Sequence, residues 1–346
     1  MKILITHEKF PPDIAGGGET IVLNLVRGLI KKGHDITVLT TGNPKITHYD
    51  GIRTIRIPVN RYLMNLSYPI ILKYAKGFDL IQTTSGNLCF PSWKVAKTLN
   101  KPICVLILHM LAEHWKTIKG RIVGTVFHQL EKLFLGRNYD AVVVMNDNTK
   151  ILIERINKSS KIYKIPSGFD RIKMKPFKKT KSILFVGNVS MNASMSKLKG
   201  LPQFIQAAEH FPSYKFYVVG KGDYLEESKK SAPPNMVFTG SLSGKKLQNL
   251  FERSAIFCNL SLSEGFGLTI AEAMAAGCAI ISTIDIGQSG YIIRPQNSDA
   301  FASCIKKLTE SPKEIEKFGA SNRKLSLQYT WKKFVDGFEK IYEKLV

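Results

Sequence analysis

Short apolar runs alternate with helix-patterned stretches along almost the whole chain, and that alternation narrows the available folds more than any other feature. "KILIT" at 2–6 is strand-like. A Gly-rich loop follows, then "ETIVLNLVRGLIKKG" at 19–33. Its apolar residues at 21, 22, 25, 26, 29 and 30 keep a helical spacing, and Gly33 sits where a helix stops. "DITVLTT" (35–41), "FDLIQTT" (78–84), "PICVLILH" (102–109) and "DAVVVMN" (140–146) continue the strand series. Strands covered on both faces read as unbroken apolar runs, so the series predicts a parallel sheet built from βαβ units.

A second series starts after "DRIKMKPFKKTK" (170–181), a basic, proline-containing stretch without clean periodicity that reads as a domain boundary. "SILFVGN" (182–188), "KFYVVGKG" (215–222), "MVFTG" (236–240), "AIFCNLS" (255–261) and "AIIST" (279–283) are strand-like. "LPQFIQAAEHF" (201–211) and "SGKKLQNLFERS" (243–254) are helix-like, and "YTWKKFVDGFEKIYEKLV" (329–346) is an amphipathic helix. A chain of 346 residues exceeds one core and suits two. The predicted fold class is α/β, with two doubly wound Rossmann-like domains facing a deep interdomain cleft. The boundaries are 1–168 for an N-terminal domain, 169–328 for a C-terminal domain, and 329–346 for a helix packing back on the first. In such sheets ligands bind beyond the carboxyl ends of the strands.

Composition adds exclusions. No apolar run is long enough to span a bilayer, and "MKILITHEKF" turns polar after Ile5, so a secretory core is not expected there. The five cysteines (89, 104, 258, 278, 304) show neither metal-ligand spacing nor a disulfide framework, which points to a reducing cytoplasm. Fifty Lys and Arg against 27 Asp and Glu give a net charge of +23. Such a balance suits nucleic acid, an anionic membrane surface or an anionic small substrate; it also suits a solvated lysine-rich surface. No nucleic-acid motif is present, so no nucleic-acid partner is expected. Two stretches, "RYLMNLSYPIILKYAKG" (61–77) and "GRIVGTVFHQLEKLFLGR" (120–137), are apolar with basic ends. In the second, Val123, Phe127, Leu130 and Phe134 form one helical stripe. Two readings stand: a core stripe, the commoner case, or a surface laid on anionic lipid, peripheral to the inner face of the cell membrane.

The densest chemistry lies in "SLSEGFGLTIAEAMAAGCAIIS" (261–282). Glu264 falls in a loop at the carboxyl edge of a strand. Gly265 and Gly267 let a ligand approach the backbone closely. "LTIAEAMAA" from Leu268 is helical, so its N-terminal amides and dipole favour a phosphate. Glu272, about one turn in, can accept hydrogen bonds from vicinal hydroxyls. Carboxylate, phosphate cradle and second carboxylate suit a nucleotide sugar. Acidic residues placed by dipole preference alone are the other reading of this stretch.

Here the chain resembles a known family, the retaining glycosyltransferases of family 4 (GT-B fold, glycosyl transferases group 1). The E-x7-E signature is Glu264-Gly265-Phe266-Gly267-Leu268-Thr269-Ile270-Ala271-Glu272. "PPDIAGGGET", "KKGHDITVLT", "KPICVLILH", "IYKIPSGFD", "VFTGSLSGKKLQNLFERSAIFCNLSLSEGFG" and "WKKFVDGFEKIYEKL" resemble family segments in the correct order. The resemblance implies a retaining, metal-independent hexosyltransferase acting on a lipid or glycan acceptor, with a nucleotide-diphosphate sugar as donor substrate and no cofactor. Glu264 would bind donor hydroxyls and stabilise developing charge, and Glu272 would hold the ribose. Lys199 would neutralise the leaving phosphate, and His109 would contact the transferred sugar or the acceptor. Backbone at Gly265, Phe266, Gly267 and Leu268 would line sugar and diphosphate, with Gly17 and Gly18 approaching from the N-terminal domain. Gly220, Gly222, Gly240 and Ser241 would border the base. Two departures stand out. Asn188 occupies the place of the family's usual Arg, with Lys197 in the same loop as a substitute cation. The loop at 284–291 is shorter than the family's. Both departures leave open an alternative, a catalytically impaired nucleotide-sugar-binding protein of the same fold.

Overall fold

The computed structural model describes every residue except 14–15, 171–177, 188–197 and 223. Two compact units account for the chain. The first comprises Met1–Ala112, Val126–Gly168 and Thr330–Val346; the second comprises Glu113–Thr125 and Phe169–Tyr329.

The first unit is built on an eight-stranded sheet. Its strands are β1 (Lys2–Thr6), β2 (Asp35–Thr41), β3 (His48–Tyr49), β4 (Ile52–Ile57), β5 (Leu80–Thr84), β6 (Ile103–Leu106), β7 (Ala141–Val144) and β8 (Lys161–Lys164). They lie in the order β3-β4-β2-β1-β5-β6-β7-β8, parallel except for the β3–β4 pair. Strand β1 sits centrally, with Ile3 beside Ile36 of β2 and Leu80 of β5. The apolar runs at Ile3–Ile5, Ile103–Leu106 and Ala141–Val144 are fully buried, as expected of strands covered on both faces. Helix Gly17–Lys31 buries Ile21, Val22, Leu25, Val26 and Leu29, and Gly33 follows its C-cap in the left-handed region at φ 85°. The last helix, Trp331–Leu345, packs along Gly17–Lys31. The Tyr342 hydroxyl donates to Gln82 Oε1 at 2.8 Å in the sheet, and Lys32 pairs with Asp336 and Glu339.

The second unit carries a six-stranded, all-parallel sheet. Its strands are β9 (Thr180–Val186), β10 (Lys215–Val219), β11 (Met236–Gly240), β12 (Ser254–Asn259), β13 (Ala279–Ser282) and β14 (Gly290–Ile292), in the order β11-β10-β9-β12-β13-β14. The chain runs outward from β9 to β11, then returns to place β12 on the other side of β9. Loops leaving β9 and β12 therefore diverge, and the gap between them is the topological switch of this sheet. The stretch read as a linker to residue 181 ends sooner: Thr180 and Lys181 already belong to β9, Thr180 beside Ser254. Both side chains are exposed, so the strand's first residues carry no apolar signal.

Candidate active site

At the switch of the second sheet, the segment after β9 meets the loop after β12. Leu262 N–H donates to the Leu198 carbonyl at 2.8 Å, which locks the two loops together. Gly200, at φ 75°, opens helix Leu201–Ala208, and any Cβ there would run into Leu260. Glycine is thus required for the backbone carrying Lys199 to lie against the end of β12. The result is an ion pair, Lys199 Nζ to Glu264 Oε1 at 2.5 Å, both side chains partly buried. The Ser261 hydroxyl donates to the same carboxylate oxygen at 2.8 Å, and Thr283 Oγ1 donates to the Ser261 carbonyl. Two of the predicted catalytic residues are therefore one unit, held by groups from the ends of two strands. Ser261 and Thr283 were not singled out from the sequence; a Ser three residues before a loop Glu carries no signal by itself.

Beyond Glu264 the chain turns through Gly265, Phe266 and Gly267 into helix Leu268–Ala276. Phe266 is buried edge-on against Tyr329, with ring centroids 5.2 Å apart, so it offers a ligand only its backbone. Gly267 is the N-cap at φ 91°, where a Cβ would lie 2.7 Å from Ile270 Cδ1. No side chain caps this helix, which leaves its first amides facing outward from the strand edge. Glu272, partly buried one turn in, has its pKa pushed up to about 7, by burial first and by the negative charge of Asp170 second. A carboxylate under that pressure gains from ligand hydroxyls that stabilise its charged form.

The neighbouring strand ends contribute open backbone. Gly220 N–H donates to the Gly240 carbonyl at 3.0 Å, which ties the ends of β10 and β11, and Ser241 follows exposed. Gly222 lies two residues beyond Gly220, at φ 153°. Asn188 and Lys197 lie outside the described residues. Among the described residues, no group of three or more His, Cys, Asp or Glu is arranged to hold a metal ion.

The first unit has its own carboxyl edge. Gly17 and Gly18 open helix Gly17–Lys31, again without a side-chain cap. A Cβ on Gly18 would approach Leu108 to 3.3 Å, so the glycine loop abuts the segment carrying His109. His109 lies three residues beyond β6 and is exposed; the Ser85 hydroxyl, bonded to Leu108 N–H, fixes that segment. The switch of this sheet, between β1 and β5, holds Glu8, Arg61 and Asn87, which sequence reading passed over, beside His7. Buried Glu8 accepts from the Asn87 N–H at 2.6 Å and pairs with Arg61 at 2.7 Å. His7 donates to or accepts from Thr84 Oγ1 at 2.8 Å. Burial, then Arg61, pushes its pKa down to about 3, so the ring is neutral.

Comparison with known proteins bears on both units. Residues 15–172 match the family described as Glycosyltransferase Family 4, and residues 180–311 match Glycosyl transferases group 1. The chain is 24% identical to the O-antigen chain mannosyltransferase C of Escherichia coli, covering 100% of this chain and 99% of that one. It is 22% identical to the GDP-mannose:cellobiosyl-diphosphopolyprenol alpha-mannosyltransferase of Komagataeibacter xylinus, covering 100% and 94%. In fold it is similar to sucrose-phosphate synthase from Thermosynechococcus elongatus, with a TM-score of 0.81, 19% identity, and coverage of 99% and 98%.

Proposed function

Since the chain belongs to glycosyltransferase family 4 and has the GT-B fold, we propose that it is a retaining hexosyltransferase that takes its sugar from a nucleoside diphosphate and needs no metal. The observation that carries this reading is the Lys199–Glu264 pair beside the uncapped entrance of helix Leu268–Ala276. The diphosphate rests on the helix amides and recruits Lys199, whose charge takes the place a metal ion would otherwise fill. Glu264, released from part of its pairing, accepts from donor hydroxyls and faces the positive charge that develops at the anomeric carbon. Glu272 accepts from the ribose hydroxyls.

In the transfer, the bond from anomeric carbon to phosphate oxygen breaks and the acceptor oxygen bonds to the same carbon from the same face. The acceptor's proton passes to the departing phosphate oxygen, so no separate base is required. The acceptor is a lipid-linked or free glycan. Support comes from the diphosphopolyprenol named for one relative and the O-antigen chain named for another. Contact with the sugar or acceptor is assigned to the exposed His109.

The test is a thermal-shift screen against nucleoside diphosphate sugars, followed by a transfer assay with whichever raises the melting temperature. Lys199→Ala and Glu264→Ala are each expected to lower turnover by at least about 100-fold while still melting cooperatively. Near-native turnover in either variant would sink the reading. Donor binding by the unmodified chain without transfer or hydrolysis would leave only a binding protein.

A further inference from the structure

The first unit presents apolar side chains to solvent on two helical elements that share one face of its sheet. Crossovers from β4 to β5, β5 to β6 and β6 to β7 all step in the same direction across the sheet, so their right-handedness puts the connecting helices on one side. Those helices are Tyr68–Ala75, preceded by the short helix Arg61–Leu66, then Cys89–Thr98, then Arg121–Leu135, which belongs to this unit from Val126 onward. They are neighbours in that order. Tyr68–Ala75 packs on Cys89–Thr98, and Phe90 of the latter stacks on Phe134 at 5.1 Å.

The inner side of the first-unit part of Arg121–Leu135 is narrow: His128 and Leu135 are buried. The opposite side carries Val126 (54% exposed), Leu130 (40%) and Leu133 (48%) at helical spacing. The stripe seen in the sequence is therefore largely a surface and not a core; only Phe134 turns inward. On the other flank Leu66 is 75% exposed, with Leu63 and Tyr62 beside it.

Charge selects the occupant. No Asp or Glu occurs between residues 51 and 78. The one acid on Arg121–Leu135 is Glu131, whose carboxylate turns back to accept from the backbone N–H groups of Leu111 and Ala112 at 3.0 and 2.7 Å. Bases fringe the apolar area: Lys73 lies over the Tyr74 ring and Lys94 over the Tyr68 ring. A second copy would bring another chain of net charge +23 against this fringe, whereas an anionic sheet of headgroups complements it.

We propose that this face docks on a bilayer containing anionic lipid, with Leu66, Val126, Leu130 and Leu133 entering the interface and the lysines meeting headgroup phosphates. The inference deepens the proposed function, since it names the surface on which a lipid-linked acceptor would be met. Its test needs no turnover.

The full chain is floated with vesicles of phosphatidylcholine alone and of phosphatidylcholine with phosphatidylglycerol. Binding is expected to the mixed vesicles and to weaken as salt rises. Leu130→Glu with Leu133→Glu, and separately Leu66→Glu, are expected to reduce it by about tenfold or more. The thermal shift given by a nucleoside diphosphate should stay unchanged in both variants, which separates failure of docking from failure of the donor site. Failure to float with mixed vesicles would overturn the proposal. So would binding indifferent to these substitutions. A concentration-dependent dimer that the substitutions abolish would overturn it too, in favour of a second copy.

Discussion

Lys199 and Glu264 are written 65 positions apart and meet in one ion pair, yet the bond that steadies the carboxylate comes from Ser261. A hydrogen bond to a charged group contributes about 1.5–3 kcal/mol. Ser261→Ala is therefore expected to lower turnover by roughly tenfold or more while donor affinity changes little, a split readable as kcat against KM. Glu272 gives a pH signature. In the unfolded chain it ionises near 4.5, and in the folded chain near 7. Between those values the folded state holds the extra proton, so this group's contribution to stability falls as pH rises. Glu272→Gln should flatten that decline in melting temperature. The hydroxyls of a bound donor prefer the ionised form, so affinity for a nucleoside diphosphate should climb as pH passes about 7 in the native chain and not in the variant. A pH-independent affinity in the native chain would remove Glu272 from the ribose role.

Among the elements, the last helix shows how closely the first unit is packed. Gly28 lies where any Cβ would strike Val335 of Trp331–Leu345. Gly28→Val should cost about 1–3 kcal/mol through overpacking, measured as a shift in the denaturation midpoint. The central strands were legible because burial on both faces demands unbroken apolar runs: "KILIT" and "DITVLTT" match β1 and β2, and "AIIST" covers β13 with one residue, Thr283, to spare. The edges were not. In β4 the run "IRTIRI" interleaves arginines, one of which, Arg56, is buried to hold the carbonyls of Phe10 and Pro11. β8 reads "KIYK", partly solvated at the end of its sheet, and β14 is three residues long. An edge strand can be short, charged and half wet without losing its pairing. The signature loop was legible for a different reason. Its glycines and carboxylates are consecutive in the chain, whereas Glu8, Arg61 and Asn87 come together only through strand order.

For the whole molecule, charge is the dominant variable. Residues 1–168 carry 24 basic against 11 acidic groups and the remainder 26 against 16, so neither half relieves the other. Self-repulsion of this size is screened by salt. Raising ionic strength should therefore raise the melting temperature, even as it weakens attachment to anionic vesicles; a falling melting temperature would mean that local ion pairs such as Lys32 with Asp336 outweigh the global field. The split composition of the first unit has a consequence during synthesis. A ribosome finishes the entire second unit before it delivers Trp331–Leu345, so the groove along Gly17–Lys31 and the Gln82 amide wait uncovered for most of translation. Chains that end at Tyr329, with the second unit complete but that final segment missing, should be bound by chaperones and cut by protease at the first unit, while the second is already resistant.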